Sequence, residues 1–155
     1  MGGRSPETIL RDAGVPFALH EHVPVATVAE IVVALPFPAE EHVKTLAFTA
    51  GGNVVLASLR GSDRLRFGQL ARALGVGRDT ISPLAPERVR DELGLEPGGV
   101  CPLVDRADVT VLFDRRVLDL PRAFCGSGRN DATLELAPAD LASASRATIA
   151  ELAAD

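Results

Sequence analysis

Tryptophan and tyrosine are absent from this 155-residue chain, methionine occurs once and cysteine twice, and only six phenylalanines supply aromatic rings. So few rings predict no platform on which several bases could stack, and any RNA contact is expected at phosphates and one terminal nucleotide. Cys101 and Cys125 are far apart and form no C-x-x-C pair, which predicts a reduced, cytoplasmic protein. The longest apolar run, 31–37, is broken by Pro36 and is too short to span a bilayer. The first residues carry no apolar secretory core.

Lysine is the scarcest charge. Of 16 basic residues only Lys44 is not arginine. Arginine is a rigid, permanently charged fork, whereas lysine is a slender point charge whose pKa moves on desolvation. One lysine in the alternating segment His42-Val43-Lys44-Thr45-Leu46-Ala47-Phe48 fits a site that needs a compact cation, although taken alone the segment reads more simply as a packed stem with its head in water. The net charge of −5 argues against counterion-driven binding to DNA or to nucleic acid at large. Arg60, Arg64, Arg66, Arg72 and Arg78 still form a locally basic stretch, the usual mark of a solvated helix face.

Hydrophobic residues at 46% and charged residues at 24% indicate an ordinary globular chain, and 1–155 reads as one domain. Ser5-Pro6 opens a helix over 6–13 that Gly14 ends, residues 17–23 alternate as a strand, and 26–35 form a second helix stopped by prolines. Gly51-Gly52-Asn53 joins strands 43–49 and 54–59 as a hairpin. Helices over 67–74 and 86–93 close at Gly75 and Gly94. Strands follow at 109–113, 122–125 and 133–137, and Pro138 opens a C-terminal helix. The fold class is mixed α/β, a curved, mostly antiparallel mixed sheet surrounded by helices.

Chemical motifs are sparse. His20 and His22 share a strand face and His42 could join them on a metal, but no fourth ligand has motif spacing. Ser127 lies in Gly-Ser-Gly rather than in a nucleophile elbow, and Cys101 has no histidine near it in sequence. Gly98-Gly99-Val100-Cys101-Pro102 is a loop whose amides could converge on an oxyanion, or a structural turn. Gly126-Ser127-Gly128 with Arg129 presents the same two readings, with the guanidinium available to clamp an anion.

Three segments in order, Val43-Lys44-Thr45-Leu46, Pro97 through Leu103, and Gly126-Ser127-Gly128-Arg129 leading to Leu134-Glu135-Leu136-Ala137-Pro138, resemble the YbaK/ProX family of aminoacyl-tRNA deacylases. That family includes the editing domain of bacterial prolyl-tRNA synthetases. The resemblance implies a YbaK-like fold and a trans-editing deacylase that hydrolyses the ester of mischarged tRNA, of the Cys- or Ala-tRNA(Pro) type, without a cofactor. It implies Lys44 as the catalytic cation. Thr45, Gly98, Gly99, Val100, Cys101, Pro102, Gly126, Ser127, Gly128, Arg129 and Asp131 would bind the terminal aminoacyl-adenosine. A synthetase is an implied partner, and a membrane is not. Asn130-Asp131-Ala132-Thr133 matches the Ala-editing branch, but Gly126-Ser127-Gly128 replaces its His-Pro segment, so the amino acid removed stays open. A binding module for an aminoacyl-adenosine-like molecule or a partner protein, without turnover, is the alternative.

Overall fold

The structure is a computed structural model, described over residues 3–154. Helix α1 (Pro6–Asp12) begins at Ser5, whose hydroxyl accepts from the Thr8 amide at 3.2 Å, with Pro6 preset at the first helical position. Strand β1 (Ala18–Glu21) follows. Helix α2 (Val28–Ala34) is shorter than expected at both ends: Thr27 serves as its N-cap, and Leu35, before Pro36, is already extended. The Thr27 hydroxyl accepts from the Glu30 amide at 3.2 Å, and the Glu30 carboxylate turns back to the Ala26 amide at 3.2 Å. This is a variant of the reciprocal T-x-x-E box.

Strands β2 (His42–Ala50) and β3 (Asn53–Arg60) form the expected hairpin. Gly51 and Gly52 both have positive φ, +57° and +86°, as a two-residue turn matching the strand twist requires. Helix α3 (Phe67–Leu74) ends at left-handed Gly75. Strand β4 (Ile81–Pro83) was not foreseen: it is three residues long, and its proline disguises it. The helix expected over 86–93 is one α-turn, α4 (Pro86–Arg88), continued by a wider π-turn over Val89–Leu93 and closed at left-handed Gly94.

The remaining elements are β5 (Thr110–Asp114), β6 (Ala123–Gly126), β7 (Ala132–Leu136), α5 (Pro138–Ala144) and β8 (Thr148–Ala150). After α5 the chain turns through Arg146, at φ +56°, so that β8 can pair with β5. The sheet runs β1-β7-β6-β2-β3-β5-β8, with β4 added to β2. Four of its pairings are antiparallel, while β2 with β6, β3 with β5 and β5 with β8 are parallel.

Alternation along the strands divides the core between the two faces of the sheet. Val43, Leu56, Val111 and Phe113 pack on one side with Leu10 and Leu141, whereas Phe48, Ala57, Leu59 and Leu112 pack on the other with Leu70 and Leu152. A third, smaller cluster of Val25, Ile31 and Leu35 lies under α2. Val25 and Ile31 of this cluster face His42, Lys44 and Phe124 of the sheet across a cavity.

Candidate functional site

A cavity of about 290 Å³ lies between the sheet and the segment that carries α2. Register supplies its floor. His42, Lys44 and Leu46 alternate onto one face of β2, and the pairing of His42 with Phe124 and of Gly126 with Thr133 brings β6 and β7 residues onto that face. Val25, Ala26, Thr27, Val28 and Ile31 form one wall, and Gly98 with Val100 forms another.

The edge of β2 is open at this point. Its outer side pairs with β6 only at His42–Val43 and with β4 only at Phe48–Ala50. The two-residue hairpin makes Ala50 with Asn53 a hydrogen-bonded pair, so alternate residues, including Thr45, direct their amide and carbonyl away from β3. Backbone groups of Thr45 therefore face the gap beside Lys44.

Lys44 is half-buried on this floor. Desolvation is the largest influence on its ammonium and lowers its pKa below the usual 10.5; Asp63 opposes that shift and Arg64 reinforces it. The ammonium donates to the Asp63 backbone carbonyl. Asp63 is itself fixed, its carboxylate accepting from Arg60 Nε at 2.8 Å and Nη2 at 3.0 Å, with Arg116 at 3.9 Å. A flexible side chain is thus held by a rigid turn, and a flat guanidinium could not occupy the same position with the same contacts.

The other residues of interest divide. Gly98, Val100 and Gly126 line the cavity with Lys44. Thr45 also lines it, but its hydroxyl pairs with Ser58 at 2.8 Å in the interior, so its backbone is what it offers a ligand. Cys101 and Pro102 are buried, and Cys101 lies in the core with its thiol pushed up to about 12 by desolvation. Neither side chain can reach a ligand in this cavity. Ser127 is buried with its hydroxyl donating to the Ala132 carbonyl at 2.6 Å, and with Gly128 and Arg129 it borders a different depression of about 600 Å³. Arg129 is exposed and bonded to Asp131 at 3.0 Å, away from Lys44.

The glycine loops brace each other. The Gly99 amide donates to Glu96 at 2.8 Å, the Gly128 amide to Gly99 at 2.8 Å, and the Glu96 amide to Gly128 at 2.9 Å. These amides are committed and are not free oxyanion donors, which corrects that expectation for Gly99 and Gly128. Gly98, at φ +88°, serves close approach: a Cβ there would lie 1.9 Å from the Val25 carbonyl oxygen. Its bareness seats the α2 wall against the loop.

The histidines do not assemble on a metal. His20 Nε2 contacts Glu135 Oε1 at 2.7 Å, and His22 Nε2 contacts the Thr133 hydroxyl at 2.8 Å. Among the described residues, no group of three or more His, Cys, Asp or Glu is placed to hold an ion. Sequence reasoning overlooked His42 as part of the cavity floor and missed an aromatic cluster beside it. Phe37 stacks on Phe124 with centroids 4.2 Å apart, His42 lies 5.4 Å from Phe124, and the Arg122 guanidinium lies 5.7 Å over the Phe124 ring. Phe124 sits in the apolar run Ala123-Phe124-Cys125, which shows no local sign of a site.

Known proteins share this fold and are similar to this chain in sequence. Proline–tRNA ligase of Streptococcus gordonii is 30% identical over 104 residues, which cover 67% of this chain and 17% of the ligase. That of Halothermothrix orenii is 30% identical over 102 residues, covering 66% and 17%. The chain thus spans about a sixth of the length of these relatives. Among solved structures, the hypothetical protein APE2540 superposes with a TM-score of 0.85 at 27% identity, covering 96% of this chain and 98% of that one. A proposed trans-editing enzyme for prolyl tRNA synthetase shares the fold at TM-score 0.80 and 24% identity, covering 96% and 94%. Residues 22–144 match the aminoacyl-tRNA editing domain, a span that contains the whole cavity, and the chain belongs to that family.

Proposed function

We propose that this chain is a trans-editing deacylase that hydrolyses the ester of a mischarged aminoacyl-tRNA, with Cys- or Ala-tRNA(Pro) as substrate. The observation that carries this reading is the partly desolvated ammonium of Lys44 on the floor of a small cavity beside an open strand edge. A volume of about 290 Å³ suits a small amino acid and its ester, leaving the rest of the tRNA outside. Editing is needed for small residues because a synthetase pocket gains only about 1–3 kcal/mol of discrimination per methylene.

In this mechanism Lys44 and the outward amide of Thr45 face the ester carbonyl oxygen and stabilise its developing negative charge. Water adds to the carbonyl carbon, the ester C–O bond breaks, and the departing ribose oxygen takes up the proton. For a cysteinyl ester the substrate's own thiol attacks the carbonyl carbon instead: a C–S bond closes a cyclic thiolactone as the ester C–O bond breaks, the thiol proton passes to the departing ribose oxygen, and water then opens the ring to free cysteine. No protein nucleophile is required, consistent with Ser127 and Cys101 being turned into the interior. Gly98 and Val100 shape the wall against which the acyl side chain rests. Recruitment by a synthetase in the cytoplasm belongs to the same proposal, supported by the net charge of −5, which favours a docked enzyme over one that captures tRNA alone.

Incubating the protein with Cys-, Ala- and Ser-charged proline tRNA tests the reading. Deacylation well above buffer with at least one is expected. Saturable binding of a nonhydrolysable aminoacyl-adenosine with no ester cleavage would instead make the chain a binding module.

A further inference from the structure

The segment that follows β3 touches the cavity and carries two cations on one side. Asp63, whose backbone carbonyl holds the Lys44 ammonium, is followed by Arg64, Leu65 and Arg66. Leu65 bridges Ala153 in antiparallel fashion, the Ala154 amide donates to the Arg64 carbonyl at 2.7 Å, and the Arg66 amide donates to the Leu152 carbonyl at 2.8 Å. The backbone is thus extended and pinned, and alternation leaves Asp63 buried, Leu65 half-buried and both Arg64 and Arg66 exposed. Two residues of extended chain set the two arginines about 7 Å apart.

Among the described residues no carboxylate pairs with Arg64 or Arg66, and the acidic side chain beside them, Asp63, is already committed to Arg60 at 2.8 Å. Elsewhere the arginines are matched: Arg88, Arg122 and Arg129 each hold a carboxylate within 3.0 Å. In a chain with 21 acidic against 16 basic residues, two neighbouring arginines left without a carboxylate make a local excess of positive charge. Arg78, whose guanidinium lies 5.9 Å over the ring of Phe67, extends that excess past Arg66. At the other end the charge of Arg64 is felt by the Lys44 ammonium, so the positive field reaches the cavity.

We propose that Arg64 and Arg66 bind the phosphodiesters at the 3′ end of the tRNA, Arg64 taking the 5′-phosphate of the terminal adenosine and Arg66 the phosphate before it. The proposal rests on the reading of this cavity as an aminoacyl-adenosine site. An ester whose carbonyl oxygen meets Lys44 carries its own 5′-phosphate on the far side of a single ribose ring, and Arg64 is the first exposed cation beyond the Lys44 contact. A guanidinium offers paired N–H donors to two phosphate oxygens, and a separation of about 7 Å is close to that of successive phosphates along one strand. So short a strip grips the single-stranded end alone, which agrees with the net charge of −5 and with the scarcity of rings for base stacking.

The test titrates the stable amide 3′-alanylamino-3′-deoxyadenosine and its 5′-monophosphate calorimetrically, at low salt, into the intact protein and into Arg64→Gln, Arg66→Gln and Arg90→Gln, the last an exposed arginine that borders the other depression. The wild type is expected to bind the monophosphate about fivefold more tightly, the scale of one exposed charge-assisted contact. Arg64→Gln should abolish that gain while binding the nucleoside as the wild type does, and Arg90→Gln should keep it. Arg66→Gln should keep it too, since its phosphate is missing from this compound. It should instead weaken binding of a proline tRNA ending in the same 3′-amide and flatten the salt dependence of that binding by about 0.7 in the log–log slope, the share of one phosphate. Equal wild-type affinities for the two small compounds, or a gain that survives Arg64→Gln, would overturn the assignment of Arg64, and an unchanged salt slope in Arg66→Gln would overturn that of Arg66. Equal losses in Arg90→Gln would show net charge alone at work and overturn both. Failure of the wild type to bind either compound would instead refute the reading of the cavity itself.

Discussion

Lys44 stands out in the sequence for its rarity, yet rarity alone could not separate a packed stem from a working cation. In the structure Lys44 lines the cavity with its ammonium partly desolvated and held on the Asp63 carbonyl, the placement that the proposed role requires. Substituting Lys44→Met should cost about 100-fold or more in deacylation, the usual loss for one oxyanion donor, while the melting temperature changes little. Lys44→Arg should fail as well, because the longer fork cannot keep the Asp63 contact. Stopped assays beside thermal melts would check both. At Gly98, alanine would place a methyl against Val25 in a left-handed backbone position. Gly98→Ala should lose about 1–3 kcal/mol, read by denaturant unfolding, with activity falling as the wall shifts. The sequence marked Gly98 as a point of close approach; the structure shows the Val25 backbone making that approach while Gly98 also lines the cavity. His42 was legible only as a metal ligand, since nothing in the sequence says that its ring nitrogen will be buried unpaired.

Most elements were legible because their punctuation is strong: Ser5-Pro6, Gly51-Gly52, Gly75 and Gly94 all act where expected. Helix α2 was misplaced by two residues at its start, although Thr27-x-x-Glu30 is a readable cap. Strands β4 and β8 escaped because three residues that add to a sheet edge carry no period of their own. The open stretch of β2 was equally invisible, since it depends on β6 and β4 stopping short of each other. Because α2 covers the cavity through a small satellite cluster, its cap should matter for binding. Thr27→Ala should weaken the helix by about 1 kcal/mol. The expected signature is faster amide exchange over 28–35 and a raised KM with kcat less affected, and an unchanged exchange rate would contradict it.

At the scale of the whole molecule, the site depends on three segments distant in the chain meeting on one sheet face, and sequence order could suggest that meeting without supplying its geometry. Each glycine loop is itself divided, Gly98 and Gly126 facing the cavity while Gly99 and Gly128 are bonded into the brace between the loops, a division that appears only in three dimensions. Burial of neutral His42 also couples the fold to pH. Its folded pKa is below the usual 6.5, so the unfolded chain takes up the proton first, and the stabilising contribution present above 6.5 is lost as pH falls through the folded value. Urea unfolding should show stability declining below pH 6.5, with a shallower decline in His42→Leu. Among the described residues no helix is long and apolar enough to cross a membrane.

As proposed, Lys44 in this cavity drives removal of a small amino acid from tRNA. Single-turnover deacylation of Cys-, Ala- and Ser-charged proline tRNA by the wild type and Lys44→Met tests it most directly. At least one of these substrates should be cleaved well above buffer, and the variant should lose about 100-fold or more. Absence of cleavage at high enzyme concentration, or a fully active Lys44→Met, would contradict it.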